Sequence, residues 1–180
     1  MAEAQDYSPV KLICGLIAGS EPVFQKSKEE LIAKYGPIDS ASKRFDFTLT
    51  DYYEKQMGGP LWRRFVSFAA LIDPEQLAAI KLDTNALEDR IRREMKGERR
   101  CVNLDPGYVS GSALIMATAK DFAHRIPLQN GIYAHLEVLF GKNRIRVLDW
   151  TYPDFRSPMY HDWLLEVRRL YLAQRPSLTG

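Results

Sequence analysis

The sequence predicts an α+β fold: a ferredoxin-like split βαβ core, an antiparallel sheet with helices on one face, extended by a C-terminal β-hairpin and helix. Three observations point to it. Apolar runs and helical stripes alternate as strand, helix, strand, strand, helix, strand through residue 118. Strict alternation over residues 132–140, followed by the turn Gly141-Lys142-Asn143, marks a hairpin. No repeat, low-complexity tract or linker interrupts residues 10–180, which are expected to form one α+β domain behind a flexible polar leader at residues 1–9.

Taken in order, residues 11–18, KLICGLIA, are a continuous apolar run suited to a strand buried on both faces. Ser20 is an N-cap, and Glu21-Pro22 falls in the first turn of a helix, where a missing N–H is harmless. Phe24, Leu31, Ile32 and Tyr35 recur at helical spacing until Gly36-Pro37 stops the helix. Over 43–50, Phe45, Phe47 and Leu49 alternate with Arg44, Asp46, Thr48 and Thr50, the pattern of a strand with one wet side. Residues 51–59 form a long turn or helical cap before a strand at 62–72, apolar on both faces from Phe65 onward and therefore central. Asp73-Pro74-Glu75-Gln76 carries a capping box and opens a short helix through Ile80. A break near Asp83-Thr84-Asn85 leads to a second helical segment with Leu87, Ile91 and Met95 on one face and Gly97 at its end. Residues 100–104 and 111–118 are strands on either side of Asp105-Pro106-Gly107-Tyr108, which has turn chemistry: proline fixes φ, glycine permits a positive φ, and the carboxylate caps. Residues 144–150 return from the hairpin. A closing helix over 159–174 has Trp163, Leu164, Val167, Leu170 and Tyr171 as its apolar stripe.

The hydrophobic share of 46% and charged share of 27% are those of a globular protein and argue against disorder. With 25 Lys+Arg against 23 Asp+Glu, a net charge of +2 supplies no electrostatic reason for a polyanion partner. The basic run of Arg90, Arg92, Arg93, Lys96, Arg99 and Arg100 is interleaved with acids, as a solvated helix face is, so nucleic acid is a disfavoured partner. Cys14 and Cys101 sit in apolar runs, away from any CxxC pair or neighbouring histidine, and read as buried thiols of a reducing compartment. No export signal is visible and no apolar stretch is long enough to span a bilayer, so the expected location is the cytoplasm, with no membrane partner.

Chemically able side chains concentrate between residues 103 and 155. Lys120, His124 and Arg125 offer a point charge, a proton that switches near neutral pH and a planar donor fork, a set that suits a phosphate or carboxylate. The bland alternative is a solvated loop paired with Asp121. His135 and Glu137, two apart on one strand face, suit acid–base work or half a metal site, or else an ordinary wet face. The candidate catalytic residues are Asp105, Glu137 and His124, and Asp105 and Glu137 are also the candidate ligands of a divalent cation. Lys120, His124 and Arg125 would bind the ligand, with Tyr108, Tyr152 and Asp154 beside them; the aromatics of residues 150–155 would otherwise close the core edge. There is no GxxxxGK[ST], GxGxxG or GxSxG, which removes P-loop, Rossmann and serine-hydrolase templates.

The segments FDFTLTDYYEKQMG, NLDPGYVSGSALIMATAK, HRIPLQNGIYAHLEVLF and WTYPDF, in this order, resemble a bacterial family catalogued as a domain of unknown function, number four-four-one-six. The likeness runs from about Val10 to Gln174. Some members carry a GTP-binding label, but neither a P-loop nor an NKxD guanine-reading motif stands in this chain. The resemblance implies an acidic residue where His135 stands, which would put any catalysis on Glu137 instead.

The leading expectation is a small anionic ligand, phosphorylated or nucleotide-like. An enzyme built on these groups would carry out metal-assisted hydrolysis or transfer at phosphorus. One rival is a non-catalytic protein–protein interaction module using a sheet face or edge, a homo-oligomer included. Another is RNA binding through the sheet. The ligand reading requires Asp105, Lys120, Arg125 and Glu137 to gather at one concavity.

Overall fold

A computed structural model describes residues 3–48 and 52–175. The first strand, β1 (Val10–Ala18), is buried along its whole length. Helix α1 (Glu21–Tyr35) leads to β2 (Ile38–Ala41) and the two-residue β3 (Phe45–Asp46). A single turn, α2 (Glu54–Met57), precedes the long β4 (Trp62–Ile72). Asp73 and Gln76 form the expected capping box ahead of α3 (Leu77–Glu94). Then follow β5 (Val102–Val109), β6 (Ala113–Thr118), β7 (Ile126–Pro127), β8 (Tyr133–Phe140) and β9 (Ile145–Val147). The chain closes with α4 (Pro153–Arg156) and α5 (His161–Gln174).

The strands form one antiparallel sheet in the order β2-β4-β1-β5-β6-β8-β7, with β3 added to β4 and β9 to β8. Helix α1 carries the chain from β1 to β2 across β4, and α3 carries it from β4 to β5 across β1. Because side chains alternate along a strand, β1 supplies two cores. Leu12, Cys14 and Leu16 pack with Phe24, Leu31, Leu87 and Ile91 under α1 and α3. Ile13 packs on the other face with Phe65, Trp163, Leu164 and Val167 under α5. Helices therefore cover both faces of the sheet. Lys11, fully buried, donates to Asp39 Oδ2 at 2.5 Å, Phe68 O at 3.0 Å and Gln174 Oε1 at 2.7 Å, tying the first strand to the last helix. No helix among the described residues is long and apolar enough to cross a membrane.

Several local expectations are corrected. The strand expected over 43–50 is replaced by β2 and the short β3; Phe45 and Phe47 are buried as their alternation requires, and residues 49–51 lie outside the described residues. The break expected near Asp83 is absent, since Thr84 satisfies its hydroxyl on Lys81 O at 2.9 Å inside a continuous α3. The return strand after Gly141 is only β9, because Leu148 N already donates to Thr151 Oγ1 in the turn that follows.

The largest correction concerns Asp105-Pro106-Gly107-Tyr108, which is no turn but the middle of β5. Asp105, Pro106 and Gly107 lie opposite Gly15, Cys14 and Ile13 of β1. On the other edge, β6 joins β5 only at Gly107, Tyr108 and Val109. Pro106 has no N–H for the next rung. Gly107 is needed for the close approach itself: a Cβ there would sit 2.5 Å from Ile115 O and 2.5 Å from Met116 Sδ. Beyond that point β5 and β6 diverge, and the sheet splits.

Candidate functional site

The split opens a cleft of about 460 Å³. One wall is built by α3, β5 and the segment joining them, and carries Lys81, Asn85, Arg100, Asn103 and Asp105. The facing wall is residues 117–120 with His135 and Tyr152. Arg63, Asp154 and Phe155 are buried at its base, and Tyr52, Tyr53 and Lys120 stand at its open side. The β5 edge facing the cleft is capped by side chains instead of a strand. Arg100 Nε donates to Val102 O at 3.1 Å, Leu104 N to Glu88 Oε1 at 2.7 Å, and Lys81 Nζ to Leu104 O at 2.8 Å. Lys81, Asn85 and Glu88 recur at helical spacing, so α3 lays a polar stripe along that edge.

Arg63 anchors the base. Its guanidinium carbon lies 4.8 Å from the Phe65 ring centroid and 4.9 Å from that of Phe155. It donates through one terminal nitrogen to Asp154 Oδ2 and through the other, at 3.4 Å, to Asp105 Oδ2. Burial works against its charge, but Asp154 and Asp105 outweigh burial and raise its pKa above the usual arginine value. The Nε is buried and has no partner among the described residues. Asp105 also accepts from Asn103 Nδ2 at 2.6 Å and lies 3.7 Å from Lys81 Nζ. Arg100 bonds Glu88 Oε2 at 2.6 Å as well as Asn103. Burial raises the Glu88 carboxyl pKa even against the pull of Arg100.

The opposite wall has a different chemistry. His135 is fully buried and stacks on Tyr152 at 4.8 Å and 15°. Its Nδ1 lies 3.0 Å from His124 Nε2 and accepts from Arg125 Nε at 3.3 Å, which leaves the ring proton on Nε2. That nitrogen is 3.0 Å from Glu137 Oε2, yet off the line of a directed hydrogen bond, so both atoms count as unsatisfied. Glu137 sits where the β6–β8 register slips by one residue, a bulge that re-aims its side chain. Its Oε1 accepts from Tyr152 N at 2.7 Å, and burial pushes its pKa above the ordinary carboxylate range, against the neighbouring imidazole. His124 stacks on Trp150 at 5.0 Å and 10°, and desolvation, then His135 and Arg125, push its pKa down. Arg125 reaches Tyr152 Oη at 2.8 Å and Lys120 O at 2.7 Å.

The expected site residues are therefore sorted by depth. Asp105, Lys120, Tyr152 and Asp154 line the cleft. His124, Arg125 and Glu137 stand behind Tyr152 and His135 and hold that wall in place. Tyr108 lies away from the cleft lining: it packs beside Leu77 and Ala78 at the start of α3, three residues out of phase with Asp105 along β5. Sequence reasoning missed Arg63, Lys81, Arg100 and Asn103. The available signals were an arginine alternating into a core strand between Trp62 and Phe65, and the polar stripe of α3 beside Ile80, Leu87 and Ile91. Among the described residues no three His, Cys, Asp or Glu side chains converge to hold a metal ion, so the expected Asp105 and Glu137 ligands find no third.

A mixed α+β protein with a large antiparallel sheet and a polar cleft at the split in that sheet is the class these observations define. A family model described as "Domain of unknown function (DUF4416)" matches residues 8–171, and the chain belongs to that family. No curated protein and no solved structure matches it.

Proposed function

We propose that the chain binds a small anionic ligand, phosphorylated or nucleotide-like, in the cleft between β5 and β6. The observation that carries this reading is the charge of the lining, where Arg63, Lys81, Arg100 and Lys120 face two carboxylates, Asp105 and Asp154. Lys120 is the cation left over. Its Nζ lies 4.1 Å from the Tyr52 ring centroid, and among the described residues it pairs with no carboxylate. The mixture of cations with aromatic walls suits a ligand that is charged at one end and flat at the other. We read the β2-β4-β1-β5 segment with its two crossing helices as the ferredoxin-like split βαβ core, and β8–β9 as its hairpin extension. On the same reading the protein works in the cytoplasm.

The test is a thermal-shift panel of inorganic phosphate, pyrophosphate, nucleotides and phosphosugars on wild type and Lys120→Ala. A ligand at a hundredfold excess over its Kd stabilises by about 2.7 kcal/mol, and the shift should shrink in the variant. No shift from any compound at millimolar concentration sinks the reading.

One observation favours an interaction module as a second reading. Phe122 and Ile126 are 63% and 65% exposed, and Leu128, Val147 and Trp150 are exposed near the same interrupted edge, where β7 and β9 each pair with β8. Concentration-dependent sedimentation of the free chain tests it, a constant monomer mass counting against self-association. The RNA reading has less support, because α1 and α3 cover one sheet face and α5 the other.

A further inference from the structure

The two ends of the cleft differ in charge. Along the base and the α3–β5 wall, the cations Arg63, Lys81 and Arg100 are matched by Asp105, Asp154 and Glu88. Lys120, at the open side, pairs with no carboxylate among the described residues. The balanced end nevertheless keeps polar groups with unused capacity. Asp105 is partly exposed, and its Oδ2 takes the bonds from Asn103 Nδ2 at 2.6 Å and from Arg63 at 3.4 Å. Its Oδ1 accepts from no described residue; Lys81 Nζ, at 3.7 Å, balances the charge but stands beyond hydrogen-bonding distance. Asn85 follows Lys81 by one turn of α3, half-buried in the cleft lining, and its carboxamide has no partner among the described residues. Asn103 and Arg100, by contrast, are already bonded to each other and to their neighbours.

This asymmetry narrows the ligand. A carboxylate oxygen only accepts, and a carboxamide both gives and takes, so the pair suits groups that themselves do both, which hydroxyls do. An ammonium at Asp105 Oδ1 would confront Lys81 and Arg63, and a second carboxylate would confront Asp105 itself, so the complement at this end is neutral. Vicinal hydroxyls meet that demand: one donates to Asp105 Oδ1 while its neighbour exchanges hydrogen bonds with Asn85. We propose that the ligand is a phosphorylated sugar, with vicinal hydroxyls on Asp105 and Asn85 and its phosphate toward Lys120. The inference rests on the reading that the cleft takes a small anion, and it names what the anion is attached to. Tyr53 and Tyr152 also line the cleft, and the electron-rich face of an aromatic ring suits the C–H face of a sugar. A volume of about 460 Å³ accommodates one pentose or hexose phosphate.

Calorimetric titration compares ribose 5-phosphate and glucose 6-phosphate with butyl phosphate, which carries the phosphate without the hydroxyls. At least one sugar phosphate should bind the wild type about tenfold or more tighter than butyl phosphate. Asp105→Asn takes away the free charged acceptor and a negative charge, so the probes should part. The sugar phosphate should lose about fivefold or more, while butyl phosphate binds as well or better. Asn85→Ala removes a side chain without partners and should cost the sugar phosphate about threefold, with butyl phosphate unaffected. That variant carries the test alone if Asp105→Asn disturbs the fold. No preference for either sugar phosphate over butyl phosphate, or an Asn85→Ala variant that changes them in parallel, overturns the sugar while leaving an anion site. Failure of all three probes to bind removes the anion site and this inference together.

Discussion

The Arg63 cluster and the His135 cluster stand on facing sides of one cleft and accommodate buried charge in opposite ways. Around Arg63 every carboxylate has a cation: Asp154 and Asp105 bond the guanidinium, and Lys81 and Asn103 complete Asp105. Around His135, Glu137 is equally buried but meets only a backbone N–H and an ill-aligned imidazole. The first arrangement pairs each carboxylate with a cation and fixes the base of the cleft. The second holds a carboxyl that resists ionisation, linked through two imidazoles to the surface at His124. At Arg63 neighbouring charge outweighs burial, whereas at Glu137, and at Glu88 despite Arg100, burial sets the direction.

The difference can be broken by removing either anchor. Arg63→Met leaves Asp154 buried without its cation and should cost roughly 3–5 kcal/mol in urea unfolding. Adding Asp154→Asn should return much of that loss, and a strictly additive double variant would show that the two residues do not act as a pair. Gly107→Ala ranks next, because its methyl meets the Ile115 carbonyl and the Met116 sulfur, and a loss of about 1–3 kcal/mol is expected. Glu137→Gln keeps the shape and the Tyr152 contact and should change stability at neutral pH by about 1 kcal/mol or less. Its signature is pH dependence. Since folding raises the Glu137 pKa, its contribution is fully present below the ordinary carboxylate value and is lost as pH rises through the raised one. The fall in Tm of wild type above pH 4.5 should therefore be shallower in Glu137→Gln, with Glu88, raised in the same direction, supplying the remainder. Identical slopes would erase the contrast between the two clusters. Lys120→Ala, at the exposed end of the site, should leave stability within about 0.5 kcal/mol and register only in ligand binding.

How legible these features were depended on the range of the interaction that decides them. The alternation through Phe45 and Phe47 and the buried run of β1 follow from local pattern, and both were readable. The strand through Pro106 and Gly107 was not. Their turn preference is a local property, and it is overridden by β1, almost a hundred positions earlier in the chain, pairing along the whole of β5. Thr84 argues against a helix by propensity, yet a bond within α3 absorbs its hydroxyl. The loop at Lys120 and Arg125 was found because it clusters in sequence. Arg63 escaped because its partner Asp154 lies 91 residues away, and a pair at that separation leaves no spacing to read.

Lys11 sets a condition on how the chain can be made. Its ammonium, fully buried, draws one of its three partners from Gln174, 163 residues downstream. A nascent chain emerging from the ribosome can pair β1 with β4 and β5 long before that residue has been synthesised. Until α5 docks, however, the sheet face carrying Lys11 stays wet, and its apolar neighbours stay uncovered. The central strand is thus among the first segments made and the last to be sealed, so a chain halted before α5 would display a sticky, half-finished sheet to the chaperones that meet it.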